Sequence, residues 1–231
     1  MQQICQKNLL IQRLAINERN TISCAMVQYD NQTLETIITR RSTRQYTDKE
    51  IPKETLKKII QAGRYAPSAE NHQPWKFIVI TNKSTIQNLS QDIKTQLKSI
   101  LKKRSVLKLK YKELKNEQTL RMLAGAALAP SDVIFFDAPA LVFIVTKKHR
   151  YYDESCACCA QNMMLAAHSL GVGSCWIGLA NFLELDKNAI ETLEIPEDHH
   201  ISAALIFGYP EKKNAKPAIR KVTSDIIKWI E

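Results

Sequence analysis

The sequence predicts a mixed fold, a central sheet of about four strands with helices around it. Three observations predict it. Short apolar runs with strand character recur at residues 77–80, 140–146, 174–177 and 201–207. Segments with apolar residues at helical spacing lie between them. Of the 231 residues, 45% are hydrophobic, enough for one sizeable core and one domain.

Residues 1–31 carry no clear motif, apart from a possible short helix around 9–16, and read as an N-terminal extension to a domain over 32–231. Leu34, Ile37 and Ile38 have helical spacing. Pro52 suits the first turn of a helix over about 53–65, whose Leu56, Ile59, Ile60 and Gly63 line one face. Residues 66–75 form a loop, because prolines and small polar residues disfavour regular structure. A buried strand follows at 77–80. Residues 84–118 read as a lysine-rich helix with Leu97, Ile100, Leu101, Leu107 and Leu114 on an apolar side. A further helix covers 120–128, and an apolar strand 140–146. Asp153 is a candidate cap for a helix to about Leu170, stopped by Gly171. That helix is apolar nearly all round and is expected to be buried. Asp186 is placed to cap a short helix before the strand at 201–207.

Three segments can carry chemistry. Arg40-Arg41-Ser42-Thr43-Arg44 puts three guanidiniums and two hydroxyls within five residues. Such a set matches phosphate oxygens, although a solvated basic turn has the same composition. The loop from Pro67 to Trp75 offers Ser68, Asn71 and Gln73 between two prolines. It is either a structural turn or a rigid polar edge for a planar heterocycle. Gly171-Val172-Gly173-Ser174-Cys175-Trp176-Ile177-Gly178 lets backbone approach a ligand. It lacks the spacing of a dinucleotide fingerprint, and no phosphate-binding P-loop is present.

Taken in order, these three segments resemble the nitroreductase family from about Glu35 to the C-terminus. The turn at 203–210 and the basic Lys216 and Arg220 also match, the tail more loosely. The resemblance implies an α+β fold with a mainly antiparallel central sheet flanked by helices. It implies a domain-swapped homodimer with FMN at the subunit interface. Arg40, Arg41, Ser42 and Arg44 would hold the phosphate and ribityl end, completed by Lys216 and Arg220. Pro67, Ser68, Asn71 and Gln73 would line the flavin ring in the partner subunit's site. Trp176, Ile177 and Gly178 would place backbone near its reactive edge, and residues 225–230 would be the exchanged arm. The implied activity is hydride transfer from NADH or NADPH through FMN to a nitroaromatic, quinone or enone, with no essential protein acid or base. Another reaction on the same fold, such as dehalogenation or flavin fragmentation, is the near alternative.

Composition limits the rest. No stretch reaches the ~18 apolar residues that span a bilayer, and no secretory signal is visible. Six cysteines in a chain of this length suit reduced thiols and a cytoplasmic setting rather than a disulfide framework. Cys156, Cys158 and Cys159 lack a second cluster at zinc spacing and are expected as small core residues. Cys175 shows no sequence feature of a redox cysteine. The five histidines show no metal-ligand spacing, and His199-His200 is expected to be surface or structural. The net charge of +10 and the lysines at 94–115 raise a rival reading, a nucleic-acid-binding module. Single-strand binding wants interleaved aromatics, and Tyr111 stands alone there.

Overall fold

The computed structural model describes residues 16–17, 21–22, 31–107, 109, 112–212, 220–221 and 228–230. The expected helix at 9–16 falls almost wholly outside them. The chain divides into two compact units, Met1–Arg41 with Asn214–Glu231, and Ser42–Lys213.

In the first unit, strands β1 (Ile16–Asn17) and β2 (Thr21–Ile22) pair antiparallel. Helix α1 (Gln32–Thr39) starts where the Asn31 side chain accepts from the Thr33 and Leu34 amides, at 2.9 and 3.2 Å. Two of the otherwise unpartnered N–H groups of its first turn are thereby satisfied.

The second unit carries the core. Its elements are α2 (Lys53–Arg64), β3 (Lys76–Ile80), α3 (Lys83–Lys102), α4 (Arg104–Leu107), α5 (Glu117–Leu128), β4 (Ala140–Lys147), α6 (Tyr152–Ser169), β5 (Gly173–Trp176), α7 (Lys187–Thr192) and β6 (His199–Gly208). Within the first unit, β7 (Arg220–Lys221) pairs antiparallel with β2. The four strands of the second unit form one sheet in the order β3-β4-β6-β5, every pair antiparallel. An α+β architecture with a mainly antiparallel sheet is what the motifs implied.

Strand β4 lies inside the sheet, and Ala140 to Val145 are buried along its whole length. Both faces are covered, so its side chains read as a continuous apolar run. One face packs under α3 and α5, with Phe143, Leu141 and Ile206. The other packs under α2 and α6, with Val142, Ile144 and Phe207. A Cβ on Gly63 of α2 would stand 2.6 Å from Met163 Cγ of α6, so glycine permits the close crossing of these two helices.

Three expectations need correction. The strand at 77–80 is a sheet edge, and of its residues only Ile80 is buried. An edge strand has a neighbour on one side only, so Val79 stays exposed. The helix expected over 84–118 breaks after Lys102. A straight helix would carry Leu114 about 18 Å past Lys102, away from the core in which it is buried. The chain instead turns back, and Asn116 starts α5 by accepting from the Thr119 amide at 3.0 Å. Asp153 does not cap α6. Tyr151 holds the N-cap position with φ +66°, and the Asp153 carboxylate lies 2.8 Å from His200 Nε2. Asp186 does cap α7, accepting from the Asn188 and Ala189 amides. Gly171, at φ +72°, follows α6.

Cys156 and Cys159 are core residues of α6, while Cys158 is exposed on its outer side. Burial pushes the Cys156 thiol up to about 11 and the Cys159 thiol up to about 12. Under native conditions at pH 7.5, iodoacetamide is therefore expected to modify Cys158 and to leave Cys156 and Cys159 intact. Peptide mass spectrometry reads the result. Denaturant should make all three reactive.

The histidine pair is structural. The His199 side chain is 4% exposed and lies 2.6 Å from Asp198, which also meets Lys147 at 2.8 Å. Hydrogen bonds from Lys147 and His199 lower the Asp198 carboxyl to about 2. Its folded-state value lies below the ordinary ~3.9 of a free aspartate. The stabilisation is thus complete above about pH 4 and lost as pH falls toward 2. The stability gap between the protein and Asp198→Asn should close over that window, measured as urea midpoints at stepped pH.

Candidate functional site

The segment 42–46 runs along the sheet beside β5. Ser42 bridges Ser174 in parallel, and the Thr43 amide donates to the Ser174 carbonyl at 2.9 Å. Gly173 makes this approach possible, because a Cβ there would stand 2.6 Å from Thr43 Oγ1. Tyr46 bridges Pro210, and its hydroxyl donates to the Thr43 carbonyl at 2.5 Å. Burial holds the Tyr46 hydroxyl well above the ordinary phenol range, so it remains a proton donor. The structure thus joins the first and third motifs. Ser42 and Arg44 lie at the surface next to the end of β5, where Trp176 is half-exposed and Ile177 is buried.

Gly178 opens a 3-10 stretch, Gly178–Leu185, directly after β5. A Cβ built there meets nothing within 4 Å, so the backbone faces open space. The Ser174 hydroxyl is buried and has no hydrogen-bond partner among the described residues. A buried hydroxyl in that state is costly unless something else supplies the partner.

Arg40 and Arg41 belong to the first unit and immediately precede Ser42. Arg40 ends α1, its amide donating to the Thr36 carbonyl at 3.1 Å. Arg41 Nη1 donates to the Ile38 and Arg40 carbonyls at 2.6 and 2.7 Å. Lys216 lies outside the described residues. Arg220 stands in β7, opposite Ile22. Of the expected arm at 225–230, residues 228–230 are described, and Trp229 and Ile230 are exposed.

The second motif is held elsewhere. Glu70, Asn71 and Gln73 all have positive φ, between 47° and 56°. Three left-handed non-glycine residues in four positions persist only where neighbours enforce them. Here the Gln73 amide donates to Ser68 Oγ at 3.1 Å, and the Ala69 amide to Ser155 Oγ at 3.2 Å. The Tyr152 hydroxyl meets His72 Nδ1 at 3.4 Å, and Gln73 Nε2 donates to Asn71 Oδ1 at 3.1 Å. Pro67, Asn71 and Gln73 are exposed, and Ser68 is half-buried. The first turn of α6 therefore braces this loop.

Strand register measures how far the loop lies from the other motifs. Lys76 pairs with Val145, which pairs with Ile201, whereas Ser174 pairs with Phe207. Those positions differ by about 20 Å along the sheet and about 14 Å across it. The rise of α6 from Ser155 to Leu170, about 22 Å, agrees. One chain does not bring Asn71 and Gln73 to Ser42 and Arg44.

Three supporting residues had little or no signal in the sequence. Tyr46 alternates with Arg44, a weak period-two cue. Phe136, whose ring lies 5.8 Å from the Arg44 guanidinium, and Ser155, 86 positions from its partner Ala69, carried none. Among the described residues, no three His, Cys, Asp or Glu side chains are grouped to hold a metal ion. No helix among them is long and apolar enough to cross a membrane. The lysine-rich stretch is split between α3, α4 and the turn before α5, with Lys98, Lys102, Lys103 and Arg104 exposed.

Known proteins match this arrangement. The Nitroreductase family profile covers residues 37–209. A "putative NADH dehydrogenase/NAD(P)H nitroreductase" of Archaeoglobus fulgidus is 31% identical over 180 residues, covering 77% of this chain and 85% of that protein. One with the same description from Methanothermobacter thermautotrophicus is 28% identical over 183 residues, covering 77% and 76%. The crystal structure of a Bacteroides fragilis nitroreductase with bound FMN superposes with a TM-score of 0.70 at 29% identity, over 87% of this chain and all of that one. The profile spans most of the chain and takes in all three motifs, so this protein belongs to the nitroreductase family.

Proposed function

We propose that the protein binds FMN and is an NAD(P)H-dependent oxidoreductase that reduces electron-poor acceptors such as nitroaromatics and quinones. One structural observation carries this beyond family membership. The basic segment ending in Arg44 is hydrogen-bonded onto β5, immediately before the open backbone at Gly178.

The donor set fits the cofactor. A phosphate needs guanidinium and hydroxyl donors, and Arg40, Arg41, Ser42 and Arg44 supply them from one short segment. The buried Ser174 hydroxyl, on the residue bridged by Ser42, lacks a partner among the described residues. A flat heterocycle needs open backbone and amide groups, which Gly178, Asn71 and Gln73 offer. FMN held by these residues would supply the redox chemistry, hydride transfer between a nicotinamide and the acceptor.

The residues of this chain bind and orient. Arg40, Arg41, Ser42 and Arg44 neutralise and hold the phosphate and ribityl end, with Lys216 and Arg220 completing it. Trp176, Ile177 and Gly178 present backbone to the ring. Tyr46 keeps the Arg44 segment seated on β5 through its bond to the Thr43 carbonyl. Pro67, Ser68, Asn71 and Gln73 line the ring in the site of a second copy. Their loop leads into β3, three strands across the sheet from β5 and about 14 Å away in one chain, which supports that assignment. The working form is accordingly a homodimer.

Absorbance spectra of the purified chain test this. Titrated FMN should be retained, and anaerobic NADH or NADPH should bleach it. Failure to take up flavin would defeat the cofactor assignment. Flavin that stays oxidised with both nucleotides would defeat the reductase role and favour another reaction on this fold. Sedimentation should give twice the chain mass.

A further inference from the structure

Phe136 and Asp137 adopt left-handed backbone conformations, with φ of 56° and 50°. A bulky residue rarely occupies that region, and one that does is usually compelled to. What compels it here is Asp132. Its Oδ1 accepts from the Ile134 and Phe135 amides, both at 3.0 Å, and from the Ser90 hydroxyl at 2.6 Å. Its Oδ2 accepts from the Asp137 amide at 3.2 Å. One carboxylate thus organises the whole turn.

The turn is also fastened to α3. The buried Lys94 donates its ammonium protons to the Ala129 and Ser131 carbonyls, at 3.0 and 2.8 Å. Ile134 and Phe135 are fully buried, anchoring the turn in the core. These restraints determine where the Phe136 ring goes. It packs half-buried against the core and lies 5.8 Å from the Arg44 guanidinium, within the range of a cation–π contact.

We propose that Phe136, set by the Asp132 turn, is a positioning residue that aims Arg44 at the phosphate and ribityl end of FMN. This rests on the cofactor assignment given above. Arg44 is an exposed side chain with several rotatable bonds. Fixing it before the cofactor arrives removes part of the ordering cost of binding.

A double-mutant cycle on the full chain tests it, with FMN dissociation constants from flavin fluorescence quenching. Phe136→Leu keeps most of the apolar bulk and removes the ring. It should weaken FMN binding about three- to tenfold. Phe136→Tyr keeps the ring and should restore wild-type affinity. Arg44→Ala should weaken binding about 10- to 150-fold. In the Arg44→Ala background, Phe136→Leu should add nothing, because the side chain it acts through is gone. Equal losses from Phe136→Leu in both backgrounds would overturn the proposal and leave Phe136 a packing residue. Unchanged affinity in Phe136→Leu would overturn it as well. If Arg44→Ala itself leaves FMN affinity unchanged, the role of Arg44 toward the cofactor fails instead. Thermal melts of each variant establish that it is folded, and Phe136→Met replaces Phe136→Leu in the cycle should the latter melt early.

Discussion

Phe207→Ala is expected to lower the stability of the protein by about 3–5 kcal/mol, because it deletes a fully buried aromatic side chain and leaves a cavity. Phe207 is wholly inaccessible to solvent and packs under α2 and α6 with Met163, Ala167 and Val172. Its cluster takes in Ile59 of α2, Met163 of α6 and Ala140 of β4, so no single element can move to fill the space. For a domain of this size each kcal/mol shifts the melting temperature by about 2–4 °C, which places the expected fall at roughly 6–20 °C. The same residue pairs with Ala140 of β4 and with Ser174 of β5. Ser174 in turn carries Ser42 and Thr43. A loosened β5 should therefore release FMN at temperatures below the melt, seen as flavin fluorescence rising before the circular dichroism changes. Phe207→Leu fills most of the volume and should show a smaller fall. A melting temperature within about 2 °C of wild type for Phe207→Ala would contradict the placement of this residue at the centre of the core.

Arg44→Ala should weaken FMN binding about 10- to 150-fold, equivalent to the roughly 1.5–3 kcal/mol of a hydrogen bond to a charged group. Arg44 is exposed, with the Phe136 ring near it and Tyr46 two residues on. Its removal leaves the Thr43 amide bond to Ser174 and the Tyr46 hydroxyl bond to Thr43 intact, so the fold should be preserved. Arg44→Lys keeps the charge but loses the planar fork and should recover only part of the affinity. The loss should be smaller at high ionic strength, where charge attraction contributes less in wild type too. Isothermal titration at two salt concentrations, beside a thermal melt, separates this from general destabilisation.

How much of this was readable beforehand depends on the range over which each feature is determined. The helix at 53–64 and the strands at 140–147 and 199–208 follow from periodicity and apolar runs, which act over neighbouring residues. The cap at Asp186 was legible for the same reason, since a side chain there reaches only its own next turn. The helix over 84–118 was misread because its heptad-like leucines gave no hint that the chain must double back to bury Leu114. Cys158 was misread as core because it sits among apolar neighbours, and only the packing of α6 shows which side of the helix meets the sheet. Asp153 looked like a cap, but its carboxylate was taken by His200, 47 positions away.

The order of residues along the chain already contains the chemistry available to the protein: an arginine-rich anion grip, a polar loop between prolines and a glycine-bearing approach for backbone. These are properties of residue type and short spacing, and they do not depend on the fold. Only the tertiary structure decided which of them meet. It seats Ser42 against Ser174 of β5, and it ties the Asn71 loop to the first turn of α6. It also recruits Tyr46, Ser155 and Phe136 as supports. Strand order and helix length set those distances, and both arise from burying two faces of one sheet, a condition on the whole chain that no local segment carries.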